Sequence, residues 1–186
     1  MAFGGLFLIP GVFGAIAVGD TLLTVFGAEF ATGGTILVVL LAARLLAAYG
    51  DQLLTTINAI DRPDIAFRVN LGYVAANVGL NLLLVTVFGW YGAAAATAIA
   101  SLVSVGLAGY ALAGLIGRPD VPTGELARQV AASIVMLAVV LGLQELFPGT
   151  LQWTLAVTAV GAGVYGVVLF GVSERFRRKV LGVAPI

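Results

Sequence analysis

Six apolar stretches, each about the length that crosses a bilayer, leave this chain little from which to build a soluble surface. At 1.5 Å per residue, about 20 residues traverse a hydrocarbon core of roughly 30 Å. Such runs lie at 5–26, 35–60, 65–88, 92–116, 126–147 and 151–172. Between them stand Gly27-Ala28-Glu29, Asp61-Arg62-Pro63-Asp64, Gly89-Trp90-Tyr91-Gly92, Gly117 through Pro122, and Pro148-Gly149, each a stop or turn signal. Asp61 is placed to cap the third helix, with Pro63 in its first turn, where a missing N–H costs nothing. Charged residues make up 10% of the chain, against about 25% in an average soluble domain. The expected fold class is therefore all-α: a polytopic transmembrane helix bundle of about six spans.

The same scarcity excludes functions. The formal net charge is zero, so no basic nucleic-acid-binding face is available. Cysteine and histidine are absent, which removes disulfides, the usual zinc ligands, thiol nucleophiles and histidine bases. No Gly-x-Ser-x-Gly element or close carboxylate dyad occurs, and the one lysine lies in the tail. No enzyme activity, cofactor or metal is expected. The opening residues lack the basic region and small-residue cleavage site of a signal peptide.

The cations set an orientation. Arg62 and Arg68 flank the second loop, Arg118 and Arg128 the fourth, and Arg175, Arg177, Arg178 and Lys179 follow the last span. Eight of the nine cations thus fall on one side of a six-span hairpin series, the cytoplasmic side by the positive-inside rule. Trp90 and Trp153 fall at the opposite interface, and both ends of this segment are cytoplasmic. The expected localisation is the plasma membrane.

The ninth cation, Arg44, sits inside the second span, with Asp51, Thr55 and Asn58 at offsets of seven, eleven and fourteen. At 100° per residue these fall within about 40° of one line. Arg44 and Asp51 are about 10 Å apart along the axis, so a direct pair needs long side-chain reach or a water. A charge at the bilayer centre costs about 2.5–3.5 kcal/mol on insertion scales, so the stripe must face a bundle interior or a wet cavity. It is either a cavity wall for anionic substrate or coupling ions, or an internal charge pair that joins helices. The third span repeats the pattern with Asn70, Asn77 and Asn81, which serve as interhelical glue or line a hydrophilic lumen. Asp20, near the outer end of the first span, either ionises in an outward cavity or reaches the interface. Glu29 and Glu145 read as solvated.

Gly92, Ala96 and Ala100 form a small-residue ridge for close helix packing, and Ala159/Gly163 with Ala162/Gly166 predict another in the sixth span. The fifth and sixth spans, with Ser133, Thr158 and Tyr165 in their middles, read as peripheral and lipid-facing. The basic tail reads as a stop-transfer flank that could also meet anionic headgroups.

Three stretches together resemble the C-terminal lobe of polysaccharide and lipid-linked oligosaccharide flippases, within the multidrug/oligosaccharidyl-lipid/polysaccharide exporter superfamily. The first is Pro10-Gly11 with Gly19-Asp20-Thr21-Leu22-Leu23-Thr24-Val25-Phe26-Gly27-Ala28-Glu29-Phe30; Asp20-Thr21 stands where those proteins usually carry a small residue and proline. The second is Asn58-Ala59-Ile60-Asp61-Arg62-Pro63, similar to a short cytoplasmic turn with a basic residue before proline. The third is Asn77-Val78-Gly79-Leu80-Asn81-Leu82 with Gly89-Trp90-Tyr91-Gly92-Ala93-Ala94-Ala95-Ala96-Thr97 and Ser101.

The resemblance implies two pseudo-symmetric six-helix bundles around a central cavity, working by alternating access. It implies membrane lipid and a lipid-linked glycan as partners, with Arg44 on the (di)phosphate linkage and Asp51, Asn58, Asn77 and Asn81 shaping the polar wall. On it, residues 1–116 form four helices of the C-terminal lobe, 117–125 a cytoplasmic loop, 126–172 an accessory pair and 173–186 a basic tail. An N-terminal lobe would be missing from this segment, in the same or a separate chain. A multidrug or cation antiporter of the same superfamily, and a non-transporting six-span scaffold subunit, are the competing expectations.

Overall fold

The computed structural model describes residues 5–117, 123–146 and 150–182, all in helices and short turns. Helix α1 is Gly5–Leu23; two 3-10 turns, Thr24–Phe26 and Ala28–Phe30, lead into α2, Gly34–Ala59. The next helical run, Pro63–Ile116, has 54 residues. As one rod it would be about 80 Å long, far more than a bilayer core. It is not one rod. Gly89 has φ 55° and ψ −130°, a conformation that suits glycine because no Cβ obstructs it. A Cβ on Gly92 would lie 2.0 Å from the carbonyl oxygen of Leu84, so the chain has doubled back within eight residues. The run is therefore two helices, α3 (63–88) and α4 (90–116), and the turn falls where Gly89-Trp90-Tyr91-Gly92 placed it. Helices α5, Thr123–Leu146, and α6, Leu151–Val172, follow, and α7, Glu174–Val180, is a short cationic helix. The five continuous apolar runs thus supply six membrane-length helices. A helical membrane bundle is the fold. The fourth-loop residues Arg118–Pro122 and the Pro148-Gly149 turn lie outside the described residues.

The turn between α2 and α3 corrects one expectation. Asp61 does not cap α3. It has φ 60° and ends α2: its N–H donates to the Asn58 carbonyl at 3.1 Å, and the Arg62 N–H to the Ile57 carbonyl at 3.2 Å. That reciprocal pair is a Schellman closure, with aspartate in the left-handed position usually given to glycine. Arg62 is the residue that precedes α3, with Pro63 in the first turn.

The helices form two compact units, one running from Val39 through α4, the other combining residues up to Val38 with α5, α6 and α7. In the first unit, Leu53 and Ile57 of α2 pack with Ala66 and Val69 of α3 and Ala108 and Leu112 of α4. The small-residue ridge of α4 is a packing face as expected. Gly92, Ala96 and Ala100 are buried and continue in steps of four through Ser104, Ala108 and Leu112.

In the second unit α5 and α6 pack on α1. Ala132, Met136 and Val140 of α5 and Val157, Tyr165 and Leu169 of α6 form a core with Val18 of α1. Gln144, an amide the sequence reading passed over, donates to the Ala17 carbonyl at 3.1 Å. The α6 ridge was misplaced. Gly163 and Gly166 have open space beside them, whereas a Cβ on Gly161 would lie 2.6 Å from Val140 Cγ2. The contact stripe of α6 is Thr154, Val157, Gly161, Tyr165 and Leu169.

Candidate functional site

Arg44 and Asp51 lie on the same flank of α2, and side-chain reach closes the axial gap: Arg44 Nη1 is 3.5 Å from Asp51 Oδ2. The pair is not internal to its unit, since the side chains are 63% and 65% exposed. Thr55 donates its hydroxyl to the Asp51 carbonyl at 2.7 Å, and Asn58 is exposed one turn further on. Immediately preceding positions Ala43, Gly50 and Ile57 are buried, so the polar stripe stands about 100° round the helix from the packing seam.

On α3, Asn70 is exposed and Asn77 and Asn81 are half-buried. The Asn81 amide donates to the Asn77 carbonyl at 2.8 Å and to its side-chain oxygen at 3.3 Å, so these two amides pair along one helix. Both stripes turn away from α4. A Cβ on Gly50 would sit 3.4 Å from Ser104 Oγ, and one on Gly72 would sit 2.8 Å from Leu107 Cδ1. These α4-facing glycines lie about 100° from Asp51 and about 160° from Asn70 round their helices.

Asp20 has a local partner in the second unit. Its Oδ1 accepts the Gly34 N–H at 2.8 Å, which satisfies one of the orphan donors at the α2 N-terminus. Glu29 and Glu145 are exposed, as expected. At the α2–α3 turn, Arg62 donates to Asp64 at 3.1 Å; that hydrogen bond and the carboxylate charge push the guanidinium pKa up, so it stays a cation. Two buried atoms on α2 that lie outside the sequence-derived candidates, Tyr49 Oη and Gln52 Oε1, have no hydrogen-bond partner among the described residues. Their signal was available: a tyrosine and a glutamine one turn apart within an apolar span. Among the described residues no cluster of three metal-ligating side chains occurs.

An exposed ion pair and a row of amides inside apolar helices have one chemical consequence. In hydrocarbon they are costly, and against water or a polar ligand they offer guanidinium and amide donors beside carboxylate and amide acceptors.

The fold and these stripes define a polytopic helical membrane protein with a polar face on its first unit. Its relatives carry matching descriptions. The chain is 30% identical over 185 residues to the probable flippase AglR of Haloferax volcanii, covering 97% of this chain and 38% of that protein. It is 28% identical over 142 residues to the probable low-salt glycan biosynthesis flippase Agl15 of the same organism, covering 76% of this chain and 30% of that one. The chain is a homologue of these flippases and spans less than two-fifths of the length of either. No family model matches it, and neither does any solved structure.

Proposed function

We propose that this chain forms part of a membrane flippase that moves a lipid-linked glycan precursor across the cytoplasmic membrane by alternating access. The Arg44–Asp51 pair carries the reading: a charge pair inside an apolar helix, exposed on its own unit, is affordable only where other protein, water or an anionic substrate covers it. Arg44 supplies the guanidinium for a (di)phosphate linkage, a geometry that suits arginine's planar donors. Asp51, Thr55, Asn58, Asn70, Asn77 and Asn81 shape a wall for sugar hydroxyls. The rest of the cavity comes from a further lobe, consistent with the share of the relatives that this chain covers. The cation-bearing ends face the cytoplasm and the tryptophan-bearing ends face outward.

The test is Arg44→Ala in the full transporter, with protein level and glycan export measured together. Loss of export at unchanged protein level is expected. Normal export would overturn the role of Arg44.

A further inference from the structure

The second unit ends in a short cationic helix held by buried side chains. Helix α6 ends at Val172, and the chain turns at once into α7. Ser173 is fully buried and works in two directions. Its oxygen accepts the Phe176 N–H at 3.0 Å, capping α7, and its hydroxyl donates to Glu125 Oε1 of α5. Glu125 is 6% exposed and also accepts from Arg128 at 3.3 Å. Phe176 packs on the core shared by α1, α5 and α6. Helix α7 is thus fixed to its own bundle by an apolar residue and a buried carboxylate, and it leaves Arg175, Arg177 and Arg178 exposed.

The first turns of α5 and the whole of α7 carry Arg128, Arg175, Arg177, Arg178 and Lys179 against Glu125 and Glu174. Glu125 is already engaged. Glu174 reaches Arg177 at 3.9 Å and Arg178 at 3.6 Å, which neutralises only part of the charge. The surplus is cationic, and it sits directly beyond a 22-residue apolar helix, at the depth where lipid headgroups lie.

We infer that α7 is a fixed cationic platform that binds the headgroups of anionic phospholipids at this membrane surface. The charge complementarity is the warrant: basic residues next to a spanning helix gain about 1 kcal/mol each from an anionic surface, roughly fivefold in affinity. The buried Ser173–Glu125 bond spares the platform the cost of ordering a loose tail on binding.

The test titrates the full chain, in a neutral detergent, with phosphatidylglycerol or phosphatidylcholine and counts bound lipid by native mass spectrometry. Phosphatidylglycerol should bind more tightly, with the difference shrinking as salt rises. R175Q combined with R178Q should weaken phosphatidylglycerol about 25-fold at fivefold per cation and leave phosphatidylcholine unchanged. Glu174→Gln should strengthen phosphatidylglycerol, because it frees Arg177 and Arg178. Equal binding of the two lipids by the unaltered chain would overturn the platform, as would unchanged affinity in the double variant. Displacement of phosphatidylglycerol by millimolar inorganic phosphate would overturn it in favour of a small-anion site.

Discussion

The hydroxyl of Tyr165 in α6 donates to the backbone carbonyl of Leu6 in α1 at 2.9 Å, and Leu6 is the residue whose helical partner is Pro10. Proline has no N–H, so the Leu6 carbonyl loses its bond from four residues on. Tyr165, 93% buried, supplies the donor from 159 positions away. A membrane interior offers no water to replace it.

Tyr165→Phe should therefore cost about 1–3 kcal/mol, the penalty of a buried acceptor left unpaired. In a Pro10→Ala background the backbone N–H returns and the cost of Tyr165→Phe should shrink. Unfolding of the four proteins in detergent, read as a double-mutant cycle, checks this. Equal costs in both backgrounds would show that the hydroxyl serves something other than the orphan carbonyl.

Gly161 and Gly163 give opposite predictions two residues apart. Gly161→Ala puts a methyl 2.6 Å from Val140 Cγ2, and such overpacking costs about 1–3 kcal/mol. Gly163→Ala meets open space and should be neutral or stabilising, since alanine is about 1 kcal/mol better than glycine inside a helix. Thermal unfolding of the two variants separates them. Similar shifts in both would refute the packing stripe of α6.

This pair also marks what was legible in the sequence. The six spans were, because length and apolarity are local quantities and Gly/Pro/charge clusters stand between them. The doubling back at Gly89 and the α4 ridge followed from the same local signals. The Arg44–Asp51 alignment followed from helix geometry alone, but its closure to 3.5 Å depended on rotamers that spacing does not fix. The packing face of α6 was not legible, because alanine and glycine occur all round that helix and the choice is made by the shape of Val140 on α5. Tyr165 with Leu6, and Ser173 with Glu125, join positions far apart in the chain, so no spacing rule reaches them. Asp61 was assigned to the wrong helix because aspartate suits both an N-cap and a left-handed C-terminal position.

Asp61→Gly should raise stability by about 0.5–1 kcal/mol. Glycine occupies φ 60° without the Cβ penalty that aspartate bears, and the Schellman bonds are backbone bonds that survive the change. Asp61→Ala should lower stability instead. A fall in melting temperature for Asp61→Gly would mean that the carboxylate itself holds the turn.

Asp20 can be assigned by charge. As a helix cap it needs an acceptor oxygen for the Gly34 N–H, which asparagine also provides. Asp20→Asn should keep stability within a few tenths of a kcal/mol, and Asp20→Ala should lose about 1 kcal/mol. In the flippase proposed above, unchanged export with Asp20→Asn would support a capping role, and lost export at normal protein level would assign the negative charge to ion coupling.

The Arg44–Asp51 pair separates a structural from a functional role most directly. A buried ion pair that joins helices costs about 3–5 kcal/mol when one partner is removed, because the other charge is stranded. Both partners stand on α2, so the pair joins no two helices, and at 63% and 65% exposure on its own unit it is worth about 0–1 kcal/mol where water reaches it. The double variant Arg44→Ala/Asp51→Asn of this chain, which strands neither charge, should unfold within about 1 kcal/mol of the unaltered protein. The same changes in the full transporter should impair export, with Arg44→Lys retaining charge but losing the planar donor geometry. A loss of several kcal/mol in that double variant would show that the pair holds α2 in place within its unit, and the phosphate-contacting role would fall with it.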